Sequence, residues 1–338
     1  MNPVPDFSLA PACNFIVRWG LGELGPLLEE LGVARPLLVT SERWRALDLP
    51  VAARYHGVRP HAPVETVEAA IDAADGADGV VGLGGGSAID TAKAVSAARE
   101  VPLVSVPTTY AGAEWTPYFG MRDESRGVKT GGAGARLSGA VYDVDLTLDL
   151  PRPESGGTAM NALAHCAESL YVEGHNEEAD RHAVEGARLT SGHLAAVLED
   201  GHDRAAREGL LRGACEAGAA LGKSGLALGH AMAQALGGRY GLPHGALNAI
   251  VLAAALRFNE PVAAHAIRRF GEAMGTEDPI GRVQELARLA GFERLRDLGV
   301  PEGELDEVAE ATIVRTGARA NPRHASAREV AELLRSVF

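Results

Sequence analysis

The feature that most constrains this chain is a change of texture partway along it. Short, β-branched apolar runs alternate with helix-patterned segments up to about residue 150, and then the alternation stops. Asn14–Trp19, Pro36–Thr40, Gly79–Leu83 and Val101–Val106 read as short buried strands. Glu23–Leu31 and Glu65–Ala74 carry helical spacing between them, the first despite Pro26. Strands separated by helices pair in parallel, with helices covering both faces of the sheet. Around Pro151-Arg152-Pro153 the texture changes, and from Gly156 the chain is Ala- and Leu-rich with helical periodicity. The expected architecture is an α/β domain over residues 1–153 and an all-α domain over 154–338, with the cleft between them as the default site.

Composition narrows what such a chain can bind. A formal net charge of -13 argues against a nucleic-acid partner, because a phosphate backbone demands a basic stripe and none is visible. Individual anions can still be held by local arginines and helix N-termini. Cys13, Cys166 and Cys215 lie far apart with no CxxC pair, so they read as reduced thiols of a cytoplasmic protein. The first residues lack a basic start and a long apolar run, so no secretory signal is expected. No uninterrupted apolar stretch approaches ~18 residues, so no membrane span is expected either.

Leu83-Gly84-Gly85-Gly86-Ser87 passes from a strand straight into a helix. Glycines let the backbone turn tightly and approach a ligand, and Ser87 with the first free N–H groups of the helix can hold a pyrophosphate. The segment is neither a P-loop nor the full dinucleotide fingerprint, since Ser87 stands where a third glycine belongs. An ordinary βα turn with a Ser cap would look the same in isolation. A second polar turn, Pro107-Thr108-Thr109-Tyr110-Ala111-Gly112, follows another strand. Two such loops at one edge of a parallel sheet make a nucleotide site.

In the second half, Asn161 and His165 stand four apart, on one face of a helix. His230 opens an Ala-rich helix and His244 follows fourteen residues later, with Gly237-Gly238 and Gly241 between them to let the chain fold back. Three histidines and one short polar side chain can build a tetrahedral site for a divalent metal. Each histidine can also be a satisfied core residue, and His244 after Pro243 can simply cap its helix. His182, His193 and His265 read as ordinary helix histidines.

Taken together these segments resemble the iron-dependent alcohol dehydrogenase superfamily and, within it, the maleylacetate reductases. Gly84-Gly85-Gly86-Ser87 with Asp90 and Ala92-Lys93 is similar to the family's GGGSxxDxAK loop. Residues 107–117 resemble the reductases' PTTYAGSExTP, Gly127-Val128-Lys129-Thr130 their GVKKTG-like segment, and residues 142–147 their YDPxLT. Asn161-Ala162-Leu163-Ala164-His165 is similar to NAIAHAAE, Leu242-Pro243-His244 to LPHA, and Asn321-Pro322-Arg323 to NPRP.

The resemblance implies a dehydroquinate synthase-like fold and an NADH- or NADPH-dependent oxidoreductase that reduces maleylacetate, a small anionic dicarboxylate, in aromatic catabolism. It implies a homodimer. Gly85, Gly86, Ser87 and Asp90 would then serve the pyrophosphate, Thr108 and Thr109 the nicotinamide half, and Lys129 the ribose or phosphates. Asn161, His165, His230 and His244 become the catalytic set. Metal-dependent relatives carry Asp where this chain has Asn161, and losing a hard carboxylate ligand weakens Fe²⁺ or Zn²⁺ binding. The expectation is therefore a site that works without metal; any Fe or Zn bound would use the same four residues. Gln234 stands where many relatives have another histidine. Ser41 follows the second strand, where NAD-selective relatives carry Asp; with Arg43 nearby, NADPH should be tolerated. Arg239 and Arg323 are the first guesses for the substrate's carboxylates. The rival readings are a metal-dependent alcohol dehydrogenase and an idle nucleotide-binding protein.

Overall fold

The computed structural model describes residues 15–124 and 128–338; Cys13, Asn14 and Gly127 lie outside them, as does the Val128 side chain. The elements run β1 (Ile16–Trp19), α1 (Leu24–Glu30), β2 (Pro36–Thr40), β3 (Ala53–Tyr55), α2 (Val64–Ala73), β4 (Gly79–Gly84), α3 (Gly86–Arg99), β5 (Pro102–Pro107), β6 (Phe119–Asp123), β7 (Val128–Gly132) and β8 (Arg136–Tyr142). Helices follow: α4 (Arg152–Ser169), α5 (Glu177–Glu199), α6 (Arg204–Ser224), α7 (Leu228–Tyr240), α8 (His244–Ala273), α9 (Pro279–Leu289), α10 (Leu305–Ile313), α11 (Thr316–Arg319) and α12 (Ala327–Ser336).

The sheet is parallel throughout, in the order β1-β8-β5-β4-β2-β3. Period-two alternation sends its apolar side chains to two cores. Leu38, Val81, Leu83, Val104 and Val106 pack with Leu24, Leu27 and Leu28 of α1. Leu37, Val39, Val80 and Leu103 pack on the other face with Ala70 of α2 and with Ala92 and Val95 of α3. Neighbouring strands β2 and β4 send their connections in opposite directions, β2 to the edge strand β3 and β4 to β5. That switch point opens a crevice at the strands' carboxyl ends. The β6–β7 hairpin is a separate antiparallel pair beside it.

From α4 onward the described chain is helical. Two apolar clusters join there: one draws on α4, α5, α6, α8 and α9, the other on α7, α8, α10 and α12. Helix α8 is long and apolar enough by composition to cross a membrane, yet most of it is buried, as a central core helix must be. Among the described residues Cys166 and Cys215 are buried and free. A buried arginine ties the two halves together. Arg207, 1% exposed, donates to Gly201 O, Leu150 O, Ser155 Oγ and the Tyr110 hydroxyl, so the loop after β5, the start of α4 and α6 are held in one frame.

Candidate active site

Helix α4 presents Asn161, His165 and Glu168, spaced four and three apart, as one stripe. Helix α8 meets it at a glycine contact: a Cβ on Gly245 would stand 2.4 Å from the Gly157 carbonyl, so only glycine lets the backbones approach this closely. That approach sets His244 and Asn248, one turn apart on α8, against Asn161. Helix α7 enters from the other side with His230 in its first turn. The turn between α7 and α8 is Gly241-Leu242-Pro243, with Gly241 left-handed (φ 68°). Gly237 and Gly238, expected to help the chain fold back, lie within α7.

The three histidines converge. The rings of His165 and His230 stack with centroids 4.7 Å apart, and those of His230 and His244 lie 5.6 Å apart at 51°. Two amides organise them. Asn161 Nδ2 donates to Ala111 O (3.0 Å) and lies 3.4 Å from His165 Nε2. Asn248 Nδ2 donates to Asn161 Oδ1 (2.6 Å) and lies 3.0 Å from His244 Nε2. Burial, reinforced by neighbouring histidines, pushes His165 well below its ordinary value of 6.5. Burial does the same to His244, helped by His230 and then by the positive charges of Lys129 and Arg315.

His230 has a different partner. Its Nδ1 stands 2.8 Å from Glu168 Oε2, both residues being fully buried. The Glu168 carboxylate also accepts Ala227 N (2.6 Å) and His230 N (3.1 Å), so it caps the N-terminus of α7, where the helix dipole favours a negative charge. A Cβ at Gly229 would lie 2.7 Å from Glu168 Oε1, which is why that position carries no side chain. The carboxylate fixes the His230 proton on Nδ1 and leaves Nε2 buried with no partner, as is His165 Nδ1. Neither Glu168 nor Asn248 was singled out from the sequence. The signal for Glu168 was a carboxylate on the same helical stripe as Asn161 and His165, inside an otherwise apolar run.

The glycine-rich loop sits at the switch point, at the N-terminus of α3, which no side chain caps. Nothing lies within 4 Å of a Cβ built on Gly86, so its backbone faces open space. Thr108 N donates to Gly84 O (3.0 Å), and Thr109 closes over Gly85. The loop after β5 then runs on to Gly112, where a Cβ would touch His165 Nδ1 at 3.4 Å. Thus one short segment links the glycine loop to the histidines. Ser87 Oγ accepts from His61 N (3.0 Å). Ser41, at the end of β2, bridges to Gly57, and Arg43 beside it is exposed, donating to Asp149 O and lying over Trp44.

Three residues sit differently from expectation. The Asp90 carboxylate is taken by Lys93 Nζ (3.2 Å) and Gly120 N (3.1 Å), so it fastens the β6–β7 hairpin beside the loop and has little left for a phosphate-side role. Arg239 is clasped by Glu304 and Glu307. Arg323 pairs with Glu329, donates to Phe258 O and stacks on the Phe258 ring. Neither arginine is free to meet a substrate. Lys129 on β7 is exposed and its charge bears on His244. Gln234, one turn beyond His230, is half-buried.

With this geometry in view, the comparisons define the class. The description "Iron-containing alcohol dehydrogenase" matches residues 15–142, and "Fe-containing alcohol dehydrogenase family, C-terminal" matches residues 156–338. The chain belongs to the iron-containing alcohol dehydrogenase family and is an oxidoreductase. Within that family it is 34% identical to maleylacetate reductase 1 of Rhodococcus opacus, over 95% of this chain and 94% of the relative's length. The solved structure of maleylacetate reductase from Rhizobium sp. superposes with a TM-score of 0.88 at 31% identity, covering 100% of this chain and 99% of that one. A structure described as a putative alcohol dehydrogenase from Ralstonia eutropha gives a TM-score of 0.90 at 32% identity, covering 99% and 98%.

The family's name implies iron, and the donor set here does not fit it. Among the described residues no carboxylate is left to ligate a metal at the histidine cluster, because Glu168 is spent on His230 Nδ1 and backbone amides. The one side-chain oxygen of Asn161 accepts from Asn248, and amide nitrogens face Nε2 of His165 and of His244. Fe²⁺ and Zn²⁺ need those lone pairs free and gain most from an anionic ligand; the nitrogens left over, His165 Nδ1 and His230 Nε2, are two neutral donors on stacked rings, too few for a four-coordinate site.

Proposed function

We propose that this chain is a cytoplasmic NAD(P)H-dependent reductase that converts maleylacetate, or a closely related 4-oxo-2-enedioate, to its saturated 3-oxo product. The observation that carries the reading is the buried Glu168–His230 pair beside two histidines held neutral, one of them in contact with the loop that continues from the nucleotide crevice. The similarity to maleylacetate reductases over nearly the full length supports the substrate class. Gly85, Gly86 and Ser87 would hold the pyrophosphate, and Thr108 and Thr109 the nicotinamide half. The cofactor, when bound, supplies the hydride.

In this reading hydride adds to the alkene carbon β to the ketone, the C=C electrons shift, and charge develops on the ketone oxygen as an enolate. A proton then goes to the α carbon, so one hydride and one proton saturate the double bond. A preorganised donor at the developing oxyanion is worth a few kcal/mol, of order 100-fold in rate. Neutral His244, with Asn248 facing its Nε2, offers that donor through its Nδ1–H. His230 carries the proton, since Glu168 stabilises the imidazolium it must form to give a proton from Nε2. Asn161 and His165 fix the orientation of both. Family resemblance supports a homodimer as the working unit.

Steady oxidation of NADH or NADPH by maleylacetate, abolished in His244→Ala with cofactor binding intact, is the expected result. No oxidation by the wild type would favour an idle nucleotide-binding protein.

A further inference from the structure

An enedioate brings two negative charges to a chain that is itself strongly acidic, so something near His244 must compensate them. With Arg239 and Arg323 committed elsewhere, the cations around the cleft narrow to those without acidic partners. Arg315, just before α11, is half-buried, and its Nε is buried with no hydrogen-bond acceptor. Among the described residues no carboxylate pairs with it. Burial alone lowers its pKa, and no neighbouring charge offsets the cost. A buried, unsatisfied guanidinium nitrogen is rare enough to call for an explanation. Its position supplies one. A Cβ on Gly238 would stand 3.7 Å from Arg315 Nη2, so the missing side chain leaves a gap edged by the guanidinium. Arg315 and Lys129 both bear electrostatically on His244. The Lys129 ammonium turns away from this gap, toward Gly120, where a Cβ would stand 3.4 Å from Nζ and 3.6 Å from Asp90 Oδ2.

We infer that Arg315, at the edge of the Gly238 gap, binds one carboxylate of the substrate and so selects enedioates over neutral enones and simple alcohols. Nε is buried, but the Nη nitrogens are not, and they can meet a carboxylate end-on through two parallel N–H···O bonds. The inference rests on the enedioate reading proposed above.

The test is steady-state kinetics of wild type, Arg315→Gln and Arg315→Lys with maleylacetate, with the KM for NADH measured in parallel and folding checked by thermal midpoint. Loss of a charge-assisted contact should raise the KM for maleylacetate about 10- to 100-fold in Arg315→Gln, with the KM for NADH unchanged. Arg315→Lys keeps the charge but loses the fork, so its KM should rise by less, and it carries the test if the glutamine variant does not fold. A wild type active on maleylacetate with the KM unmoved in the variants overturns the inference alone. A shift of equal size in the KM for NADH overturns it too, by assigning Arg315 to the cofactor. A wild type inactive on maleylacetate overturns the enedioate reading, and the inference with it.

Discussion

Glu168 Oε2 lies 2.8 Å from His230 Nδ1, and the same carboxylate accepts the backbone N–H groups of Ala227 and His230. One side chain therefore fixes the start of α7, the tautomer of His230 and the charge that balances a protonated imidazole. Glu168→Gln keeps the size and an acceptor but removes that charge. It should lower kcat about 100-fold, within the usual range for loss of positioned acid catalysis, while the KM for NADH stays put. Stopped-flow or steady-state NADH oxidation reads this directly. A kcat within experimental error of wild type would remove His230 from the proton path.

The depressed pKa values of His165 and His244 set a pH dependence of stability. Folded-state values below 6.5 mean that, under acid, the unfolded chain binds protons the folded one refuses. Stability is thus complete above the unfolded value and is lost as pH falls below about 6.5, at up to about 1.4 kcal/mol per pH unit for each histidine. Thermal midpoints should be level from pH 7 to about pH 8 and decline below 6.5. Histidine ring NMR signals of the two residues should stay in the neutral form through that decline.

Ser41 stands at the end of β2 on the crevice between β2 and β4. It carries no charge to repel a 2′-phosphate, and exposed Arg43 is close by. Ser41→Asp should raise the KM for NADPH about tenfold or more through like-charge repulsion, while NADH, whose ribose hydroxyls can donate to the new carboxylate, loses nothing. Equal KM shifts for the two cofactors would place the ribose elsewhere.

Much of this was legible in the sequence, for physical reasons that also explain the gaps. Strands β2, β4 and β5 are buried on both faces, so their apolar runs mark them within a residue or so at each end. Strand β3 has three residues and an exposed start, and β6–β7 is a short pair with three glycines lying off the main sheet, its Phe119 and Met121 only half-buried. Strand β8 begins with exposed Arg136 and contains Ser138 and Gly139, which blur its pattern, although it fills the sheet between β5 and β1. Helical spacing alone paired Asn161 with His165. It could not bring His230 and His244 to them, because that convergence depends on the α4–α8 glycine contact and on Glu168 docking α7. Arg315 was invisible for the same reason: its meaning lies in what fails to pair with it.

With Asn161 Oδ1 accepting from Asn248 and Glu168 held by His230, the three-histidine site is expected to reduce an enedioate without metal. Metal-analysed enzyme, stripped with chelator, should oxidise one NADH or NADPH per maleylacetate at the rate of untreated enzyme and gain nothing from added Fe²⁺ or Zn²⁺. Stoichiometric iron or zinc in the purified protein, with activity lost on stripping and restored by the metal, would contradict it.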